Sequence, residues 1–175
     1  MPALTAPAAI LEFPRPDLMS SVLPAAPGTL SRLDTGANVL FAGCADGRDL
    51  VRLARHFPRS RFLGTEPVTR ALELTREAVR SASLQNTQAA RPESLRQNHL
   101  KGIFEFVIRQ GGEAAARLNS LPGLLCNGGL LFDVSRTLPS PAAYHDAGLV
   151  ILRSIRLPDG SACMIAGNWS MAMRG

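Results

Sequence analysis

A small-residue turn and a glutamate are the residues of this chain best placed to bind a ligand. The turn contains Gly43, Ala45 and Gly47 and follows the apolar run 39–42, and Glu66 ends a second apolar run, 19 residues beyond Gly47. A carboxylate about 20 residues after a glycine-rich turn is spaced to accept hydrogen bonds from ribose hydroxyls, while the next helix N-terminus faces the ligand. The pattern predicts a site for a nucleoside-like ligand.

Two positions in this segment depart from the usual pattern of such sites. Ala45 stands where the middle glycine of the turn is expected, and Phe41 stands two residues before Gly43, where related sites often carry an acid. If the backbone at Ala45 requires a positive φ, the alanine is strained by about 1–2 kcal/mol. The ligand site is therefore predicted, and whether it still works is left open.

Alternating strands and helices surround this segment. Strands separated by helices favour a mainly parallel sheet covered on both faces. The last two strands flank a turn at 158–161, which predicts an antiparallel C-terminal hairpin. Helices are predicted at 48–56, 68–81 and 113–125, and strands at 37–41, 61–65, 87–90, 104–108, 130–134, 149–157 and 162–168.

The N-terminal region has a different composition from the rest. Residues 1–30 hold six of the thirteen prolines, so regular structure there can only be short. Asp17 can cap a short helix at 18–23. We interpret residues 1–30 as a Pro-rich arm that packs on the domain or on a partner, with a partly disordered tail as the alternative. Residues 31–175 are predicted to form one domain.

Composition limits the classes of partner. The net charge is +5, but the basic residues are scattered, and their densest run, at 48–61, is interpreted as a solvated helix face. Aromatic residues make up 5% of the chain, which disfavours base-stacking surfaces. Binding of nucleic acid is therefore not expected.

The cysteines and the apolar runs indicate a cellular location. The three cysteines are odd in number and lack metal-ligand spacing, which favours free thiols in a reducing compartment and no metal site. No apolar run approaches the roughly 20 residues of a membrane span, and no basic stretch precedes the apolar N-terminal residues. A cytoplasmic protein without membrane contact is expected.

Six individually weak motifs follow one another between Leu33 and Asn168. They are the glycine-rich loop at 39–47, the acid Glu66, the segment 86–95, the strand-four start at 104–107, the Gly-Gly turn at 125–131 and the Ala-Gly pair at 147–149. In their order and spacing they resemble the class I S-adenosylmethionine-dependent methyltransferases, which implies the Rossmann-like three-layer α/β sandwich of that family with a mainly parallel seven-stranded sheet.

The resemblance also implies which residues hold the cofactor, S-adenosylmethionine. The loop at 43–47 would lie against the cofactor, Glu66 would hold the ribose hydroxyls, and Glu93 would contact the adenine amino group. Phe41 replaces the acid that orients the methionine part in the family. The expected cofactor-binding residues are Gly43, Cys44, Ala45, Gly47, Glu66, Pro67, Glu93 and Arg109.

The function implied is methyl transfer to an unidentified acceptor, either a small molecule or a protein. No catalytic residue is assigned, since positioning alone can carry much of such a reaction. Phe41, Ala45 and a short connection at 136–144 with no lid leave two alternatives open. One is a catalytically silent binding or scaffold subunit, and the other is a biosynthetic enzyme that reuses the fold for a reaction such as cyclisation. A homodimer or a partner subunit could close the lidless site.

Overall fold

The computed structural model describes residues 15–96, 98–111 and 116–168. A seven-stranded sheet forms its centre, and no helix within these ranges is long and apolar enough to cross a bilayer. The strands are β1 (Asn38–Ala42), β2 (Arg61–Thr65), β3 (Thr87–Ala90), β4 (Phe104–Gln110), β5 (Leu125–Ser135), β6 (Val150–Arg156) and β7 (Ala162–Gly167), and the α-helices are α1 (Thr29–Thr35), α2 (Arg48–His56), α3 (Thr69–Ser81) and α4 (Pro141–Asp146).

The strand order is β3-β2-β1-β4-β5-β7-β6. The strands β1 to β5 pair in parallel, whereas β7 pairs antiparallel with both β5 and β6. This confirms the predicted Rossmann-like α/β sheet with its antiparallel C-terminal hairpin. The chain reverses its direction of winding between β1 and β4, and the carboxyl ends at such a switch point are where open α/β sheets bind ligands.

Side chains of the central strands alternate between two cores, one on each face of the sheet. Val39 and Phe41 of β1 enter the core that contains Leu50 of α2. Leu40, between them in sequence, enters the core that contains Tyr144 of α4. All of these side chains are fully buried. The two-residue period of the strand therefore explains why β1 is apolar from Val39 to Ala42: both of its faces are covered there.

The described part of the N-terminal arm packs on the domain. A short π-helix covers Leu18–Val22 and a 3-10 turn covers Leu23–Ala25. Asp17 caps the first of them and accepts a hydrogen bond from Met19 N at 3.0 Å, as predicted. Three apolar side chains of the two turns are at most 2% exposed and belong to the main core. The division at residue 30 stays a prediction, and residues 1–14 lie outside the described ranges.

The helix predicted at 113–125 is wrong over its described part. Residues 116–124 form an irregular segment with one 3-10 turn at Leu118–Ser120, and residues 113–115 lie outside the described ranges. The leucines of this segment recur at helical spacing and are buried, but Pro122 cannot donate the backbone hydrogen bond that a continuing helix needs. The connection between β4 and β5 therefore covers the sheet with an irregular apolar segment.

Other differences from the predicted elements are smaller. β5 begins at Leu125, five residues before its predicted start, and its pairing with β4 contains an irregularity. Gly129 lies within that irregularity, where a Cβ atom would be 2.9 Å from the Cys126 carbonyl oxygen, so glycine is required for the close approach. The helices α1 and α4 were not predicted, although Ser140 at the N-cap and Pro141 at the first turn are a typical start signal for α4.

Candidate functional site

The glycine-rich loop, residues 43–47, and Glu66 lie side by side at the carboxyl edge of the sheet. The loop follows β1, Glu66 follows β2, and these two strands pair directly. The backbone N–H groups of Gly43 and Cys44 donate to the Thr65 carbonyl oxygen at 2.8 and 3.2 Å. The end of β2 therefore fixes the start of the loop. The loop and Glu66 are neighbours, as their spacing in the sequence predicts.

The Glu66 carboxylate is bound to backbone on both sides. Its Oε2 accepts a hydrogen bond from Ala45 N at 2.8 Å, and its Oε1 accepts one from Val68 N at 3.0 Å. The residue is only 6% exposed. A carboxylate oxygen has two acceptor directions, so each oxygen retains one after these bonds. Glu66 can thus hold the loop and still accept hydrogen bonds from two hydroxyl groups of a ligand.

The backbone of the loop is left-handed at three positions, and one of them is Ala45. The φ angles are +79° at Gly43, +50° at Ala45 and +78° at Gly47. Thr75 of α3 donates from Oγ1 to the Ala45 carbonyl oxygen at 2.7 Å. A Cβ atom at Gly47 would lie 2.9 Å from Thr75 Cα, so glycine permits α3 to approach the loop. The condition for strain at Ala45 is therefore met, and Glu66 and Thr75 hold the strained residue in place.

Replacing Ala45 by glycine is expected to raise the free energy of unfolding by up to about 1 kcal/mol. The substitution removes left-handed strain of about 1–2 kcal/mol and adds a smaller entropic cost in the unfolded chain. Urea denaturation measures the change. Ala82→Gly is the matched control, because Ala82 has a φ of −80° and should lose stability instead. Loss of stability in both variants would contradict strain at Ala45.

Cys44 is a packing residue in this arrangement. Its side chain is buried, and Sγ lies 3.8 Å from Thr75 Oγ1. Burial raises the pKa of the Cys44 thiol to about 11. The thiol is therefore protonated at neutral pH and is a poor nucleophile.

Two further expected binding residues lie on the same edge of the sheet. Pro67 follows Glu66 and is exposed, and Glu93 is exposed in the 3-10 turn Pro92–Arg96 that follows β3. The Glu66 N–H donates to the Ala90 carbonyl oxygen at 3.2 Å, which ties the ends of β2 and β3 together. Glu93 is thus on the correct edge, and its assignment to a ligand stays a prediction.

Phe41 belongs to the core. Its side chain is fully buried, and it stands opposite Gly64 in the register of β1 and β2. A Cβ atom at Gly64 would lie 2.5 Å from Leu50 Cδ2. Glycine at this position therefore lets α2 pack tightly over this part of the sheet. Phe41 offers no acceptor for a ligand ammonium group. A carboxylate introduced there would be buried among apolar side chains at a large energetic cost.

Arg109 lies at the end of β4 in a buried polar network. Its Nε donates to Asp133 Oδ1 at 3.0 Å, and its Nη2 donates to Asp133 Oδ2, so the pair is bidentate. Its Nη1 donates to the Ala116 carbonyl oxygen at 2.9 Å. Tyr144 of α4 donates to Asp133 Oδ2 at 2.7 Å, and the side chains of Arg109 and Asp133 are completely buried. In this arrangement Arg109 supports the wall of the site, and its expected contact with a cofactor stays a prediction.

The network also keeps the phenol of Tyr144 protonated. Burial, together with the hydrogen bond to the Asp133 carboxylate, raises the pKa of Tyr144 above its usual range. The phenol therefore stays protonated and donates to Asp133 at any ordinary pH. Through these bonds the ends of β4 and β5, the 116–124 segment and α4 are held together.

Sequence reasoning did not identify Asp133, although a signal for it exists. Asp133 is the one charged residue of β5, Arg109 is the buried charged residue of β4, and the two are direct partners in the register. Opposite charges in neighbouring buried strands indicate an ion pair, because unpaired buried charges are prohibitively costly. Thr75 was also missed, although it lies on the buried stripe of α3 with Leu72.

The N-terminal segment makes ion pairs with this region. Arg15 Nη1 lies 2.9 Å from Asp46 Oδ1, and Arg52 Nη2 lies 3.2 Å from Asp17 Oδ2. Burial would raise the pKa of Asp46, but its hydrogen bonds with Arg15 and with Arg48 N outweigh burial and lower it. These pairs are largely exposed, so each stabilises the contact only weakly.

Comparison with known proteins finds similarity in structure alone. No family model matches the sequence, and no curated protein matches it significantly. A SAM-dependent methyltransferase from Aquifex aeolicus superimposes with a TM-score of 0.66 at 14% identity, over 88% of this chain and 94% of that one. Fibrillarin from Aeropyrum pernix, in complex with S-adenosyl-L-methionine, gives 0.60 at 20% identity over 77% and 67%. The [4+2]-cyclase SpnF gives 0.65 at 13% identity over 78% and 76%.

All three similarities lie at or below 20% identity and therefore support the fold alone. Most of the similar structures are methyltransferases, and one is a cyclase. The chain therefore has the fold of the class I S-adenosylmethionine-dependent methyltransferases.

Proposed function

We propose that the chain binds S-adenosylmethionine at the glycine-rich loop and transfers its methyl group to an acceptor. The observation that carries this proposal is the Glu66 carboxylate, which is 6% exposed, is fixed by Ala45 N and Val68 N, and retains acceptor capacity for two hydroxyls. A ribose with adjacent hydroxyls matches that capacity. The left-handed loop beside Glu66 lets the backbone approach the rest of the ligand closely.

The residues around the loop fit S-adenosylmethionine in part. Glu66 would hold the ribose, the backbone of 43–47 would lie against the methionine part, and Glu93 would reach the adenine amino group from the end of β3. Phe41 cannot accept a hydrogen bond from the ligand ammonium group. We therefore expect the ligand to bind more weakly than it would with an acid at that position, since charge-assisted hydrogen bonds contribute about 1.5–3 kcal/mol each.

The cofactor supplies an electrophilic methyl group, and the protein supplies orientation. Holding an acceptor in line with that methyl group accelerates transfer without any acid or base, which suits a nucleophile that carries a free lone pair. The buried charged groups near the ends of β4 and β5 are committed to the Arg109–Asp133–Tyr144 network. They are placed to shape the acceptor side, and no catalytic base is assigned among them.

A second candidate is a binding or scaffold subunit without transfer activity. The complete burial of Phe41 favours it, because the usual ammonium contact is replaced by core packing. The similarity to a [4+2]-cyclase also keeps a non-methylating reaction as an alternative use of the fold. We place the protein in the cytoplasm, where its three free cysteines would stay reduced. We also propose that a second copy of the chain or a partner subunit closes the site.

Isothermal titration calorimetry with S-adenosylhomocysteine and S-adenosylmethionine tests the proposal. We expect both ligands to bind with a dissociation constant between about 1 μM and 1 mM. Adenine and methionine serve as controls and should bind far more weakly, since neither one presents ribose hydroxyls to Glu66. Folded protein that binds neither ligand at millimolar concentration would refute the proposal. Binding without consumption of S-adenosylmethionine across a panel of acceptors would favour the scaffold.

A further inference from the structure

The densest run of positive charge in the chain extends from α2 to the first residue of β2. Five arginines and one acid, Asp49, lie between positions 48 and 61, whereas the whole chain has 19 basic and 14 acidic residues. All five arginines are exposed. We call this surface the basic face, and it consists of Arg48, Arg52, Arg55, Arg59 and Arg61.

A shallow groove between α2 and α3 runs along the basic face. Three arginines of α2 stand four and three residues apart, which places them on one side of the helix. Val51 and Ala78 are half-buried and supply an apolar floor between the charged groups. The groove has a volume of about 470 Å³. Its lining residues are Arg48, Val51, Arg52, Arg55, His56 and Ala78.

The guanidinium groups of this surface differ in their partners. Arg48 pairs with Asp46 and Arg52 pairs with Asp17, so these two are partly neutralised. The side chains of Arg55, Arg59 and Arg61 have neither an ion pair nor a hydrogen bond within the described ranges. Arg55 lines the groove, whereas Arg59 and Arg61 follow α2 in the sequence, so the end of the basic face beyond the C-terminus of α2 is the part that can accept new negative charge.

We propose that the basic face binds an acidic protein segment that carries interspersed apolar residues. Carboxylates of such a segment would pair with Arg55 and Arg59, for which guanidinium–carboxylate pairing is bidentate and directional. Its apolar side chains would cover Val51 and Ala78. Complementary charge gives such contacts their specificity and a high association rate more than a high affinity.

The groove fits a protein segment better than a nucleic acid. Asp17 and Asp46 stand beside Arg52 and Arg48 and would repel a continuous phosphate backbone. The single ring among the lining residues is His56, which packs edge-on against Phe57 with the ring centroids 4.8 Å apart, so the groove offers no series of rings for stacking. Binding to single-stranded nucleic acid depends on a basic path combined with exposed aromatic rings.

Fluorescence anisotropy with the full chain tests the proposal. The probe is a labelled peptide in which pairs of glutamates alternate with leucine, measured at low and at physiological salt. We expect saturable binding that weakens as the salt concentration rises. Arg55→Glu combined with Arg59→Glu should weaken it at least about tenfold, because two attractive contacts become repulsive. Arg117→Glu combined with Arg156→Glu changes the net charge equally elsewhere and should leave binding within about twofold.

Three outcomes would overturn the proposal. One is absence of peptide binding by folded protein at low salt. Another is an equal loss in both double variants, which would mean that net charge alone attracts the peptide. The third is tighter binding of a single-stranded oligonucleotide of the same charge, which would assign the face to nucleic acid. Thermal unfolding checks that each variant is folded, and calorimetry with S-adenosylhomocysteine runs separately, since this site does not depend on the ligand crevice.

Discussion

Replacing Glu66 by glutamine is expected to weaken binding of S-adenosylhomocysteine by about 10- to 100-fold. The substitution keeps the shape of the side chain and removes its charge. One carboxylate oxygen becomes an amide nitrogen, which cannot accept a hydrogen bond from Ala45 N or Val68 N, depending on its orientation. The acceptor capacity left for the ribose falls at the same time. Calorimetric titration of the variant gives the dissociation constant directly.

Two controls separate contact with the ligand from collapse of the loop. Glu73→Gln removes the same charge from an exposed position on α3 and should leave binding unchanged. An analogue of S-adenosylhomocysteine that lacks both ribose hydroxyls tests the contact itself. It should bind the wild-type protein weakly and lose little more in the Glu66→Gln variant. An equal fold-loss for both ligands would show that Glu66 acts only through the loop.

Turn and capping residues explain why the bounds of several elements could be predicted from the sequence. β2, β3 and α2 have the predicted bounds, because such residues border each of them, although β3 itself is only weakly apolar. The 116–124 segment was mispredicted because its leucines satisfy the helical period. Periodicity reports which side chains are buried, and it does not report whether the backbone between them can continue a helix through Pro122.

Some features of the candidate site could also be predicted from the sequence, and others could not. The approach of Glu66 to the loop was predictable, since both follow neighbouring strands of a parallel sheet and the sequence spacing is fixed. The two backbone hydrogen bonds of its carboxylate were not, because they depend on the left-handed turn at Ala45. The partner of Arg109 was also hidden, because Asp133 is 24 residues away and only the register of β4 and β5 joins them.

Replacing Arg109 by methionine is expected to lower the free energy of unfolding by about 3–5 kcal/mol. The methionine leaves the Asp133 carboxylate fully buried with Tyr144 as its remaining side-chain partner among the contacts described. It also removes the donor to the Ala116 carbonyl oxygen. A loss of this size is a large part of the 5–15 kcal/mol that stabilises an ordinary domain. Urea denaturation followed by circular dichroism measures it.

The double variant Arg109→Met with Asp133→Leu distinguishes two causes of the lost stability, an unpaired buried charge and lost packing. With both charges gone, we expect the protein to recover at least half of the stability that the single variant lost, since a buried ion pair adds little over apolar side chains of similar size. Tyr144→Phe keeps the ion pair, removes one hydrogen bond and should cost about 1–3 kcal/mol, so it remains measurable if Arg109→Met does not fold. A double variant as unstable as the single one would show that Arg109 acts through Ala116 and the 116–124 segment. The ion pair would then be secondary, and stability would depend on the anchoring of the connection between β4 and β5.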